Sequence, residues 1–435
     1  MHILQQVLFI LCAAIAIGFF AKKVAEIRRN IKLGRDENLN DRPGERWRNV
    51  LLLALGQKKM FKRPVPAILH FFVYAGFILI NIEVLEIMLD GIFGTERMFQ
   101  QPLGSFYTFL IGFFEILAVL TLVGVISFLI RRNVIKVRRL AMKELNGWPK
   151  RDANNILYIE IVLMLMLLLM NTAEGAIRMK EGVAGGFLIS GLFAPMFTNM
   201  SVESLHLIQR VCWWGHILGI FAFLNYLPYS KHFHILLAFP NAYYLRLKPQ
   251  GEMRNMKEIQ NEVLYMMQPE LAPATNEAQP EHQRFGAKDV MDLSWKSLLD
   301  AYSCTECGRC TAVCPANLTG KKLSPRKIMM DTRDRLEEVG ANINKNKSFV
   351  DDGKALIHDY ITTEELRACT TCQACVEACP VGIEPLSIIN QLRRYLIMEE
   401  SNAPQEWNLM NGNIENNMAP WKFSPDDRDK WAEEA

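Results

Sequence analysis

Five apolar stretches dominate the first half of the chain, at 3–20, 66–89, 103–130, 156–177 and 205–238. Each approaches or exceeds the roughly 20 residues that a helix needs to cross the hydrocarbon of a bilayer. Charged positions gather between them, so the pattern predicts a transmembrane bundle over residues 1–240 and not a set of soluble amphipathic helices. Pro228 lies inside the fifth stretch and predicts a kink or break there. The first stretch lacks a basic lead and a small-residue cleavage pattern, so it is read as a retained helix and not as a signal peptide. Beyond residue 240 the pattern changes. Residues 241–289 are polar and punctuated by prolines, predicting a linker with one short helix near 251–267. Residues 290–400 predict a compact helical domain, and 401–435 a polar, acidic tail carrying Trp407, Trp421 and Trp431.

Composition alone, 50% hydrophobic with a formal net charge of +3, conceals two different halves. Residues 1–240 carry 26 Lys and Arg against 16 Asp and Glu, whereas residues 241–435 carry 23 against 30. No basic stripe interleaved with aromatics occurs, which argues against nucleic acid as a partner. The basic residues of the first half are themselves uneven. The 21–65 segment holds 13 and the 131–155 segment 8, while 90–102 has only Arg97, and 178–204 only Arg178 and Lys180. The positive-inside rule then places the N-terminus outside and everything after about residue 230 in the cytoplasm, in a multi-pass protein of the inner membrane.

Eight of the ten cysteines fall between residues 304 and 379, and Cys12 and Cys212 stand alone in apolar stretches. The eight form one internal repeat. Cys304, Cys307, Cys310 and Cys314-Pro315 have the spacing C-x2-C-x2-C-x3-C-P, and Cys369, Cys372, Cys375 and Cys379-Pro380 repeat it 65 residues later. Such runs hold 4Fe–4S clusters, with the fourth cysteine of each run serving the other cluster. Cys304, Cys307, Cys310 and Cys379 are therefore expected on one cluster, and Cys369, Cys372, Cys375 and Cys314 on the second. Structural zinc prefers two separated C-x2-C pairs, and disulfides are disfavoured in the cytoplasm. The helical sequence between the two runs predicts an all-α, two-cluster ferredoxin domain.

Imidazole within hydrocarbon is costly unless bonded, so the histidines of the apolar half are candidates for function. His70 lies near the inner start of the second stretch; His206, His216 and His234 lie along the fifth. Neutral histidines on facing helices are the usual axial ligands of a b-type haem. His70 and His234 are expected at similar depth and so to grip one iron. If the fifth stretch were helical throughout, the 18 residues from His216 to His234 would be five turns and about 27 Å, on one face. Glu83, Glu86, Glu115 and Glu174 also fall within apolar stretches and are candidates for a proton path, with Glu174 and Arg178 spaced to pair.

The run from His216 through Phe223-Leu-Asn-Tyr-Leu-Pro228-Tyr-Ser-Lys231 to His234 resembles the last span of the five-span cytochrome b subunit of membrane nitrate reductase and its heterodisulfide-reductase relatives. That family carries two ligand histidines on the second span, ten residues apart. His70 matches the first, but Ile80 stands at the second. The resemblance implies one haem b at His70 and His234, and either a second haem or a quinone contact at His216, with His206 a weaker version of either. Residues 300–385 resemble the iron–sulfur subunit of heterodisulfide reductase. In some relatives a catalytic part with CCG cysteine motifs follows, and Asn413 to Trp431 looks like the junction before it. A separate cytoplasmic catalytic subunit is accordingly expected as partner. The resemblance implies a respiratory electron-transfer subunit exchanging electrons with quinone, menaquinone by preference. A thiol–disulfide or sulfur-compound reductase subunit and a non-enzymatic redox sensor or scaffold are the alternatives.

Overall fold

Helix length organises the molecule. The computed structural model describes residues 3–183, 186–272 and 284–433; among these there are only helices, turns and two isolated bridges, with no strand. Five helices are long and apolar enough to cross a membrane. They are α1 (Ile3–Ile31), α2 (Pro64–Phe93), α3 (Ser105–Asn133), α4 (Trp148–Lys180) and α5 (Val202–Tyr226). Each of the first four outruns its apolar stretch. The 33 residues of α4 reach about 50 Å at 1.5 Å per residue, well beyond the roughly 30 Å of hydrocarbon. The helices form a closed ring: α2 packs on α3, α3 on α4, α4 on α5, and α1 closes the ring between α5 and α2. The α2–α3 seam is tight at Gly124, where an added Cβ would come within 3.1 Å of the Leu69 carbonyl oxygen. Small residues permit such approach where the helices gain nothing from excluding water.

The fifth apolar stretch is not one helix. The α5 helix ends at Tyr226, and two 3-10 turns, Leu227–Tyr229 and Lys231–Phe233, precede α6 (His234–Tyr243). Pro228 has no N–H to donate and ends the ladder. Asp152 on α4 holds the break, accepting from the Tyr226 hydroxyl at 2.6 Å and from the Lys231 amide at 3.2 Å. The interval of five helical turns between His216 and His234 therefore does not apply, and the break sets their relation.

The later half continues the helical theme. The short helix of the linker, α7 (Lys257–Met267), starts six residues later than the sequence pattern suggests, and residues 273–283 of the linker lie outside the described residues. The cysteine domain contains α8 (Trp295–Ser303), α9 (Arg309–Val313), α10 (Pro325–Asn346), α11 (Ala374–Ala378) and α12 (Pro385–Met398). Ser324 caps α10, accepting from the Lys327 amide, and Pro325 occupies its first turn, where no N–H is needed. The α10 helix packs on α8 and α12, and α9 packs on α11.

The two halves share one core. Ile27 of α1, Ile156 and Leu163 of α4, and Phe223 of α5 belong to the same buried cluster as Leu298, Ile328 and Leu392. The overhanging end of α1 takes part. Buried Asn30 donates to the Tyr302 hydroxyl at 3.0 Å, and Gly340 on α10 leaves room for it. A Cβ at Gly340 would stand 2.4 Å from the Asn30 amide nitrogen. Within the domain, fully buried Arg335 is held by Asp289 at 2.8 Å and by Asp352 at 2.6 Å. Arg335→Met is expected to leave both carboxylates uncompensated at a cost of about 3 kcal/mol, near the low end for a broken buried pair because Asp352 meets some water. Thermal unfolding followed by circular dichroism checks this.

Candidate redox centres

The two cysteine runs fold as copies of one loop. Glu306 and Thr371, at matching positions, have φ of 54° and 56°; Gly308 and Gln373 have φ of 69° and 61°. Three of these four are non-glycine residues held in the left-handed region, a conformation that costs about 1 kcal/mol or more each. Each loop feeds a short helix, and the packing of α9 on α11 turns the end of each run toward the other. Cys310 accordingly stands near Cys304, Cys307, Cys379 and Cys375, and Cys375 near Cys369, Cys314 and Cys372. Burial pushes the thiols of Cys304 and Cys375 up to about 12 and that of Cys379 up to about 11. Thiols so placed ionise only against a compensating positive centre. Among the described residues no three His, Cys, Asp or Glu converge on a single ion. The C-x2-C-x2-C spacing of each run is the arrangement that holds a cubane, in which each thiolate binds a different iron.

The basic loops of the first half grip these cysteine loops. Arg139 donates to the Cys307 carbonyl, and Arg309 donates to the carbonyl oxygens of Lys59 at 3.1 Å and Met60 at 3.4 Å. Fully buried Arg326 donates to Glu144 at 2.7 Å. Lys231 pairs with Glu306, which Arg333 also holds at 2.9 Å. Around the second run, Arg393 donates to the Cys369 carbonyl, and Cys372 is exposed. None of these partners was legible as a site residue. A count of basic residues shows where a loop lies but not what it holds.

Three histidines present the same chemistry. The Nδ1 of His70 lies 3.1 Å from Gln57 Oε1, that of His234 lies 3.0 Å from the Lys231 carbonyl, and that of His216 lies 2.9 Å from the Leu163 carbonyl. Each partner is an acceptor, so each Nδ1 carries the proton and each Nε2 keeps its lone pair, the arrangement typical of a metal-ligating imidazole. The Nε2 of His216 is buried and has no hydrogen-bond partner among the described residues. His70 and His234 lie near each other, with His232 beside both. The His232 ring lies 5.6 Å from that of His234 and 5.4 Å from Phe223, and its Nε2 is 3.6 Å from Glu160. The donor set and its fixed tautomers fit an axially ligated haem. His216 sits apart, against the middle of α4, and Ile80 is buried. His206 is exposed at the start of α5.

The acidic candidates separate into two groups. Glu83, Glu86 and Glu174 line a cavity of about 270 Å³ at the end of the bundle away from the cysteines, together with Asp90, Arg97 and Arg210. Arg97 binds Glu174 at 2.7 Å, Glu174 also pairs with Arg178 at 2.6 Å, and the Tyr107 hydroxyl donates to Glu86 at 2.8 Å. Among the described residues one carboxylate oxygen of Glu83 is buried without a hydrogen-bond partner, 4.0 Å from the Arg97 guanidinium. Glu115 does not line this cavity. Its carboxylate accepts from the amides of Ile189 at 2.8 Å and Ser190 at 3.3 Å and from Asn171, so it ties a loop to the bundle.

Residues 303–383 match the profile of the 4Fe-4S dicluster domain. The chain carries a 4Fe–4S cluster domain. It is 29% identical to the probable iron-sulfur-binding oxidoreductase FadF of Bacillus subtilis, over the whole of this chain and 61% of that protein. It is 27% identical to the EtfAB:quinone oxidoreductase of Syntrophomonas wolfei, over 91% of this chain and 55% of that protein. The chain thus spans a little over half the length of these relatives. A component of the CoB-CoM heterodisulfide reductase of Methanosarcina acetivorans is 36% identical over 27% of this chain and 60% of its own length. No solved structure matches. Two of these relatives are oxidoreductases by name, and the five apolar helices point to a membrane protein.

Proposed function

We propose that the chain is the membrane electron-transfer unit of a respiratory oxidoreductase, linking a redox partner on the cysteine side to quinone in the bilayer. Cys304, Cys307, Cys310 and Cys379 would hold one 4Fe–4S cluster, and Cys369, Cys372, Cys375 and Cys314 the other. His70 and His234 would hold a b-type haem, oriented by Gln57 and by the Lys231 carbonyl. Haem, when bound, supplies a one-electron ferric–ferrous couple. His216, deeper in the bundle, would hold a second haem or contact the quinone. Glu83, Glu86 and Glu174, with His206 above them, would exchange protons at the far end. The reading places that end outside and the cysteine domain in the cytoplasm.

The observation that carries this reading is the double engagement of Lys231. Its ammonium pairs with Glu306 inside the first cysteine loop, while its carbonyl orients His234. One residue thus joins the cysteine centre to the histidine centre. Quinone is favoured by the relative whose name includes it, which aligns with nearly all of this chain. A thiol–disulfide reductase with the same wiring is the second reading, favoured by the similarity to the heterodisulfide reductase component. Purified full-length protein is expected to show a b-type band in the reduced-minus-oxidised spectrum and to be reduced by a menaquinol analogue. Absence of the band from the pure protein would sink the haem and quinone roles together.

A further inference from the structure

The two cysteine loops share one backbone path but not one charge. At the position where the second loop has Thr371, the first has Glu306, only 4% exposed, in the same left-handed conformation. The loop therefore does not require a carboxylate to fold. Glu306 is held by two cations, Lys231 from the membrane half and Arg333 from α10. Arg139 adds a third positive charge on the Cys307 carbonyl, and Arg309, between Cys307 and Cys310, a fourth. Asp152, 3.9 Å from Lys231, and Asp334, 3.1 Å from Arg333, offset part of this, so the excess of positive charge at the first loop rests on Arg139 and Arg309. The other charges nearby are paired: Asp300 with Lys296 at 2.5 Å, and Glu377, between Cys375 and Cys379, with Lys62. Around the second loop Arg393 sits on the Cys369 carbonyl, and Lys59 donates to the Glu377 carbonyl at 3.3 Å, near the end of the run that turns toward the first.

Reducing a cluster adds one negative charge, so uncompensated cations nearby make reduction easier, and burial strengthens the effect. Exposure of Cys372 works the other way, because water also stabilises the more highly charged reduced form. It touches one sulfur of four, whereas the excess of positive charge acts on the whole first group. We propose that the charge asymmetry between the loops makes the cluster held by Cys304, Cys307, Cys310 and Cys379 the more oxidising of the two, with Lys231 and Glu306 as opposed tuning residues. An electron delivered by a one-electron donor at the exposed Cys372 face then moves downhill toward the membrane half. The outer cluster is oxidised by one electron and the inner one reduced, with no bond made or broken. This deepens the two-cluster assignment and rests on it, but is independent of the haem.

The test is a redox titration of full-length protein followed by electron paramagnetic resonance, with iron content measured in parallel. Cys372→Ser marks the signal of the outer cluster, and the unmarked signal should have the higher midpoint. Lys231→Met should lower that midpoint and Glu306→Thr, which copies the second loop, should raise it. Each shift should amount to a tenfold change in the ratio of reduced to oxidised cluster at fixed potential, about 59 mV for one electron. Lys231→Arg should restore the wild-type value. Simple loosening of the loop would move both variants the same way, and that result, or unmoved midpoints, overturns the proposal. So does a higher midpoint for the cluster marked by Cys372→Ser. Failure to see two clusters in the wild-type protein would instead remove the assignment on which it rests.

Discussion

Cys379→Ala is expected to destroy the cluster of the first cysteine run and spare that of the second, to which Cys379 belongs in sequence. The packing of α9 on α11 brings the end of each run to the mouth of the other. Cys379 there neighbours Cys307 and Cys310, and Cys314 neighbours Cys369 and Cys375. Iron and acid-labile sulfide should fall by about half, one full cluster's worth. The surviving paramagnetic signal should be the one that Cys372→Ser alters. Cys314→Ala should give the reciprocal result, and the pair of variants guards against a general collapse of the domain. If Cys379→Ala instead removed the signal sensitive to Cys372, each run would serve its own cluster.

His70→Ala should abolish the b-type absorption of the haem that His70 and His234 share, and His234→Ala should do the same. Loss of either axial ligand leaves the iron with a single protein bond. His216→Ala separates the two readings of that residue. A single-haem protein keeps its full haem complement in that variant and changes only in its reaction with quinol, whereas a two-haem protein loses half. Gln57→Leu offers a graded version, because it removes the acceptor that fixes the His70 tautomer but leaves the ligand. Outer partners of this kind are typically worth about 10- to 100-fold in metal affinity, so its haem should be lost on washing and recovered when haem is added back. Pyridine haemochrome assay against protein concentration reads all four variants.

The pattern of apolar and polar residues disclosed five membrane-length helices and the helical character of the rest. The cysteine repeat pointed to the 4Fe–4S domain. Both signals are local: hydropathy is read in one window, and ligand spacing within one loop. The break after Tyr226 was half visible, because Pro228 announces it but Asp152, which holds it, lies 76 residues earlier. The partners of the cysteine loops were invisible for the same reason. Lys231, Arg139 and Glu306 meet only through the fold, across separations no spacing rule covers. Glu115 is a case where a long-range partner was hidden. A buried acid in an apolar helix invites a proton-transfer role, yet its bonds are spent on a loop whose approach the sequence did not announce. Glu160 escaped notice in an otherwise uncharged stretch, although it is buried beside His232 with one oxygen unpartnered.

The shared core has a consequence for modularity. Ferredoxin-like domains are commonly treated as interchangeable cartridges, yet here α1 runs on past the bilayer to become a wall of the cysteine domain, and Asn30 and Gly340 fit as one seam. A fragment cut in the linker would lose that wall and the arginine grips together. A chimera with a foreign cysteine domain would need a new surface on the helix bundle as well. The positions of the redox centres are thus fixed by the same residues that make the chain one folding unit, and neither half is free to diverge without the other.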